Sequence, residues 1–394
     1  MPRSCISTSD TMTPDVVIVG GGIGGLTAAV ALRQRGFAPR VYESAPELRE
    51  VGAGIWVPPN AMQVLARLGL AEAVAREGSP IRTAELRDAK AGVLQRADLS
   101  YAEREFGHPT VAIHRGRLQR VLADAAGRDA IHTGAQCTGV EQRGERVAVR
   151  FADGSETEAD VVIGADGLRS AVRHSIFPDM PLRYSGQTSY RATVACTLPA
   201  GFEGMGWEVW SAGARVGFSA IGHGEVYWYV TRDAPVGGTD APGTLRPMLD
   251  AVAAAFPAPV PALIAATDPA HVTRTDITDL APIASWHRGR VVLLGDAAHA
   301  TTPNLGQGGA QAMEDAWVLG DRLVAAHPSP EAAFAEYERI RGPKARFVVK
   351  TSWRFGKIVH LSNPLARGAR NLLLRLTPES VGRRQSEALY RLNF

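Results

Sequence analysis

The chain has 394 residues, of which 45% are apolar and 21% charged, with a formal net charge of +3. That length supports one large domain or two intimate ones, and the interspersed, nearly balanced charge excludes the basic footprint of a nucleic-acid binder. Cys5, Cys137 and Cys196 are too few and too scattered for a disulfide framework or metal cluster, which fits a reducing cytoplasm, and no apolar run has the length needed for stable membrane insertion.

Residues 1–13 are polar, lack the apolar core of a secretory signal and are expected to form a flexible leader. Asp15–Val19 (DVVIV) reads as a strand and Gly20–Gly25 (GGGIGG) as a glycine turn. The following helix places Leu26, Ala29, Val30 and Leu32 on one side, and Phe37–Tyr42 returns as a strand with Glu43 at its end. This is the order of a dinucleotide-binding βαβ unit. Gly20 permits the tight turn, Gly22 lets the backbone approach a pyrophosphate, and Gly25 lets helix and strand pack. Ile23 and Gly24 complete the cradle, where the helix N-terminus offers N–H donors to phosphate. Glu43, with Ser44 beside it, is placed to accept hydrogen bonds from ribose hydroxyls. At this point NAD and FAD are equally open.

Gly54–Pro59 (GIWVPP) reads as an irregular loop, with a helix over 60–68, a strand over 81–88 and a helix over 114–125. Strands alternate through 136–152, and Asp160–Ile163 is a buried strand ending in GADG. From Leu182 to Val230 aromatic residues are dense and runs such as 208–210, 214–220 and 225–231 are punctuated by glycine turns, which predicts an antiparallel sheet. A helix is expected over 245–256 and a strand over 272–275. Nucleotide-domain character then returns: Arg290–Leu294 is an apolar strand followed by GDAAH, and helices are expected over 309–323 and 330–350. Gly295 and Asp296 at a strand end, then Pro303 and the loop 305–308, favour FAD, because repeated glycines expose N–H groups to a flavin pyrimidine edge. The expected fold is α/β (α+β overall): a Rossmann-type FAD-binding domain in two parts, 14–175 and 276–345, an inserted antiparallel β-sheet substrate domain over 176–275, and C-terminal helices over 346–394.

Three motifs carry a resemblance to the class A FAD-dependent aromatic monooxygenases, which share the para-hydroxybenzoate hydroxylase fold. They are GGGIGG with Glu43; DVVIGADGLRSAVR with the pair Asp166–Gly167; and GDAAH with Pro303 and Gly306–Gln307–Gly308. The stretches LRYSGQTSYR and ATTPNLGQGGAQAMEDAWVLG are most similar to the single-component quinolone, urate, salicylate and zeaxanthin-epoxidase-like branch. The resemblance implies non-covalent FAD, NADH or NADPH as transient reductant and O2 as co-substrate, with oxygen transfer through a flavin C4a-hydroperoxide. It implies that Asp296 contacts the ribityl or pyrophosphate region, that Gly306, Gln307, Gly308 and Gly309 lie beside the isoalloxazine, and that Arg117 contacts the cofactor. It ties Asp166 and Gly167 to both FAD and NAD(P)H. Gly54 and Ile55 fall near the expected flavin.

A planar, electron-rich aromatic or heteroaromatic substrate is expected, a quinolone first. Urate, salicylate and other phenolic acids, or epoxidation, are the alternatives within the family. Another flavoenzyme, a plain NAD dehydrogenase and a non-catalytic flavin-binding protein are those outside it. Arg191 is the candidate to hold a phenolate or enolate. Tyr190 is the second catalytic candidate, although a regular strand turns it to the opposite face. Trp56, Phe218, Tyr227 and Tyr229 are candidates for the substrate pocket. His299 reads as structural or flavin-adjacent, His114 and His223 as ordinary residues, and no spacing suggests a metal. The protein is expected to be a monomer or homodimer.

Overall fold

The computed structural model describes residues 13–48, 52–241, 243–325 and 329–394, so the expected leader falls almost wholly outside them. Val16–Val19 is buried on both faces and continuously β-branched or aliphatic, as a central parallel strand requires. It pairs with Val161–Gly164 on one side and Arg40–Tyr42 on the other. Val291–Leu293 and Ile131–His132 extend this parallel sheet, and His287–Arg288 closes one edge antiparallel. The helices Ile23–Arg33 and Gly308–Val324 pack on each other beside it. Strands from both ends of the sequence thus build one nucleotide-binding sheet, and the substrate domain is inserted between them.

The inserted sheet has seven strands, in the order 273–280, 182–195, 225–233, 214–220, 205–210, 83–88 and 92–98. The last two come from the first part of the nucleotide domain, with Thr83–Asp88 parallel to Met205–Trp210. The expected limits 176–275 therefore miss part of this sheet at both ends. One face is sealed by the helices Leu245–Ala253 and Val260–Ala265 over Tyr190, Val209, Trp228 and Val230. The other face looks toward the nucleotide domain. A small sheet of 79–81, 110–114 and 54–57 joins the two halves, so the expected loop at Gly54–Val57 is a strand paired with Val111–His114. The helix Pro330–Val359 runs through Pro343 and onward to the substrate sheet, followed by Pro364–Leu376 and Glu379–Tyr390. No helix among the described residues is long and apolar enough to cross a membrane.

Candidate active site

The glycine turn divides its work between packing and an open cradle. A β-carbon at Gly20, where φ is +110°, would lie 2.3 Å from the Ala165 carbonyl oxygen, and one at Gly25 would lie 1.9 Å from that of Gly20. Gly24 presses against Leu294 and Ala312. Gly22 meets nothing within 4 Å, so the protein leaves open the side on which a pyrophosphate would approach the N-terminus of Ile23–Arg33. Glu43 accepts from the N–H of Gly21 at 2.7 Å and of Ala45 at 2.8 Å, with the Ser44 hydroxyl at 3.0 Å. These bonds fix the carboxylate at the rim of the cradle with lone pairs to spare for a ribose. The residues present fit an adenine dinucleotide.

The other two motifs are strapped together. Arg173, buried, donates to the carbonyl of Ala297 at 3.0 Å and of Leu168 at 2.6 Å, joining the GADG turn to GDAAH. The Asp166 carboxylate accepts from the Ser170 hydroxyl at 2.5 Å and the Val172 N–H at 3.1 Å, while Gly167 takes a φ of +78°. Asp296 opens onto the cavity and is exposed there, with many protein atoms gathered around it. Desolvation by these surroundings raises its carboxyl above the usual range, and His299, Arg115 and Arg173 pull the other way. His299 itself is buried, 2.5 Å from Asp315 and packed on Trp286, which makes it a support for the loop. His114 caps the helix Arg115–Ala126 by accepting from Gly116.

Between this region and the open face of the substrate sheet lies a cavity of about 500 Å³. Its floor comprises Gly54, Ile55, Asp296, Thr301 and the run Pro303–Gly309. Its roof follows the strand alternation: Ser189 and Arg191, Gly206, Glu208 and Trp210, Arg215 and Ser219, and Tyr227, Tyr229 and Thr231. Glycines make room for the rings. A β-carbon at Gly206 would sit 2.0 Å from Trp56, and one at Gly54 would sit 2.4 Å from Tyr227. The Trp56 indole donates to the Ser219 hydroxyl at 3.0 Å, which pins it as a wall.

A charged cluster faces this space. Glu208 accepts from the Tyr229 hydroxyl and the Trp210 indole, and Arg215 lies 3.5 Å from it. Arg215 also donates to Thr231 at 3.0 Å and to Asn304 of the floor loop at 2.5 Å, so it bridges roof and floor. Burial and the neighbouring Glu208 charge keep the Tyr229 phenol well above its ordinary pKa, hence a proton donor. Arg191 donates to Ser189 at 3.0 Å and enters no ion pair among the described residues. Among the described residues its guanidinium is a roof cation with no acidic partner.

The comparisons with known proteins agree with this geometry. The family model described as FAD binding domain matches residues 13–352. Over 362 residues the chain is 42% identical to the aurachin C monooxygenase/isomerase of Stigmatella aurantiaca, covering 92% of this chain and 94% of that one. The chain belongs to the class A FAD-dependent aromatic monooxygenases. It is 37% identical over 347 residues to the FAD-dependent urate hydroxylase of Klebsiella pneumoniae, covering 87% and 90% of the two chains. The crystal structure of Klebsiella pneumoniae HpxO complexed with FAD and uric acid superposes with a TM-score of 0.88 at 33% identity, over 95% of this chain and 96% of that one. The protein is thus an FAD-dependent monooxygenase acting on aromatic or heteroaromatic substrates.

Within this monooxygenase, Gly54, Ile55, Trp56, Arg191, Tyr227, Tyr229, Asp296, Pro303, Gly306, Gln307, Gly308 and Gly309 converge on one cavity. Phe218 borders it, but its ring packs behind the sheet with Trp207 and Phe202, at centroid distances of 5.0 and 5.5 Å. Tyr190 does not reach it. Strand parity turns Tyr190 into the opposite core, where its hydroxyl donates to Asp240 at 3.0 Å, so a catalytic role is withdrawn. Arg117 is buried and paired with Glu225, outside the cavity lining. Gly295 supports the floor from behind, its N–H donating to Asp315 at 3.1 Å. The sequence reading missed Glu208, Arg215 and Asn304. The first two carried a signal, since each is a lone charge inside an aromatic, alternating strand, where an unpaired charge has no place in a core.

Proposed function

We propose that the enzyme uses NADH or NADPH and O2 to hydroxylate a planar bicyclic heteroaromatic compound of the quinolone type at the carbon next to its exocyclic oxygen, with one water and one oxidised nicotinamide released per turnover. FAD held by the Gly20–Gly25 cradle, Glu43 and the 303–309 loop would supply hydride acceptance and O2 activation. The observation that carries this reading is the guanidinium of Arg191, in no ion pair among the described residues, lining one cavity with aromatic side chains and with Thr301 and the run Pro303–Gly309. Arg191 donates to the substrate's exocyclic oxygen, favours its anionic form and so raises electron density on the adjacent carbon. Trp56, Trp210 and Tyr227 stack on the ring and exclude water. Arg215, through Asn304, keeps roof and floor in register.

Urate is the second reading, supported by the polar groups Ser189, Ser219 and Asn304 on the same walls. It needs more free partners than the cluster leaves, because Glu208 is already occupied by Tyr229, Trp210 and Arg215. The test is nucleotide oxidation under air, with NADH and NADPH separately, in the presence of a 4-quinolone, urate or salicylate. The expected result is fastest oxidation with the quinolone and a product heavier by one oxygen atom. Peroxide alone with the quinolone, and stoichiometric product with urate or salicylate, would overturn the quinolone assignment.

A further inference from the structure

The helix Pro364–Leu376 is amphipathic in the reverse of the usual sense. Arg370 and Asn371 are buried, and they and Arg367 point into the protein. Arg367 and Asn371 both donate to Asp88 at 3.0 Å, and Arg370 donates to the carbonyl of Val359 at 2.9 Å. The leucines point out: Leu365, Leu372, Leu373 and Leu376 are 85%, 59%, 68% and 70% exposed. At 3.6 residues per turn these four and Ala369 span an arc of about 100°, opposite Leu374. Soluble helices place their apolar stripe inward, and an outward stripe of this kind marks a binding face.

Charge identifies what covers it. Between residues 354 and 384 the sequence has seven Lys or Arg and a single acid, Glu379, although the whole chain is nearly neutral. Arg354, Lys357 and Arg384 are exposed; Arg375 and Arg383 are exposed too, but Arg375 donates to the carbonyl of Ala91 and Arg383 pairs with Glu387 at 2.8 Å. A second copy docked through this face by twofold symmetry would set these cations against their own kind. A leucine face rimmed by basic residues suits an anionic lipid surface. We propose that the helix Pro364–Leu376 seats this enzyme on anionic membranes, its leucines in the headgroup layer and its flanking basic residues on lipid phosphates.

The placement relates to the cavity. Leu374, on the inner side, packs in one cluster with Phe355 and Trp210, both of which line the substrate space. Contact with a leaflet brings that end of the cavity to the layer where aromatic compounds with apolar tails partition. This consequence rests on the proposed quinolone-type substrate; the membrane contact does not.

The test is co-sedimentation of the FAD-loaded protein with phosphatidylcholine vesicles in which one lipid in four is phosphatidylglycerol, and with pure phosphatidylcholine vesicles. The expected result is pelleting with the anionic vesicles only, lost in high salt, and weakened about tenfold in the triple variant Leu372→Ser, Leu373→Ser, Leu376→Ser. Bound-FAD absorbance and substrate-stimulated nucleotide oxidation, read on the same preparations, report separately on fold and on the monooxygenase reading. Absence of pelleting with anionic vesicles overturns the proposal, as does equal pelleting of parent and variant. A parent that is dimeric in solution and a variant that is monomeric, with no vesicle binding by either, would assign the face to a second copy instead.

Discussion

Two charge clusters hold the 301–309 loop from opposite sides, and they differ in what they leave unpaired. Behind the loop, Arg341 donates to Asp315 at 2.8 Å and to Glu314 at 2.6 Å, Lys344 donates to Glu314 at 2.7 Å, and His299 closes on Asp315. Asn60 and Gln311 extend this network to Gln307 at 3.0 and 2.9 Å. Glu314 and Asp315 have no exposure, and every charge has an opposite partner. In front of the loop, Glu208, Arg215 and Tyr229 are also buried or half-buried, but they border a cavity and share it with the unpaired Arg191. A closed network fixes geometry; an open one with a spare cation can recognise a ligand. The first positions the loop and the second meets the substrate.

Removing one member from each cluster separates these roles. Arg341→Leu leaves Glu314 and Asp315 uncompensated in the interior, and the expected loss is about 3–5 kcal/mol of folding stability, with FAD released as the loop slackens. Urea unfolding with bound-FAD absorbance measures both. Unchanged stability would show that the rear cluster is not what holds the loop. Arg215→Ala removes a bridge that solvent in the cavity can partly replace. Stability and FAD content should change little, while kcat/KM for the aromatic substrate falls roughly 100-fold. If Arg215→Ala destabilised the fold as much as Arg341→Leu, the distinction between the clusters would fail.

The nucleotide cradle differs from both charge clusters in how far it could be read from sequence; the rear cluster, like the front one, is assembled from distant positions, with Asn60 meeting Gln307 across 247 of them. GGGIGG, GADG and GDAAH are local: the residues that make each turn are adjacent, and the steric demands on Gly20 and Gly25 come from partners in the same motif or the neighbouring strand. The roof of the cavity is non-local. Arg215 meets Asn304 across 89 positions of sequence, and Phe355 arrives from the far end of a 30-residue helix. Thr83–Asp98 looked like part of the nucleotide domain because nothing in its own sequence names Met205–Trp210 as its partner. Where a local rule did apply it worked: strand parity alone separates Arg191 in the cavity from Tyr190 in the core.

That parity gives a smaller test. Arg191→Gln should raise KM for the aromatic substrate about tenfold, about 1.4 kcal/mol, with thermal stability retained. Its neighbour Tyr190→Phe loses one hydrogen bond to Asp240, worth roughly 1 kcal/mol of stability, and should leave turnover untouched. Steady-state kinetics and thermal unfolding on the two variants check the assignment. Altered turnover in Tyr190→Phe with none in Arg191→Gln would reverse it.

The smallest expected effect lies where the front cluster reaches the surface. Thr231, which accepts from Arg215, lies 3.1 Å from one nitrogen of His360, and the other nitrogen is 2.9 Å from Asp233. Burial and the Arg215 charge lower the His360 pKa below the usual histidine value, and Asp233 and Glu208 oppose them. The sign of the pH effect follows from the direction of that shift. Above the unfolded pKa, near 6.5, both folded and unfolded forms carry a neutral imidazole and His360 makes stability independent of pH. As pH falls below that value the unfolded chain takes up the proton first, so stability declines until the folded pKa is passed. His360→Gln keeps a hydrogen-bonding side chain but cannot titrate. Its unfolding midpoint should therefore fall less steeply than the parent's between about pH 7 and pH 5. A parallel decline in both proteins would mean that Asp233 compensates the imidazolium fully, and that the front cluster is electrically closed at its outer end as well.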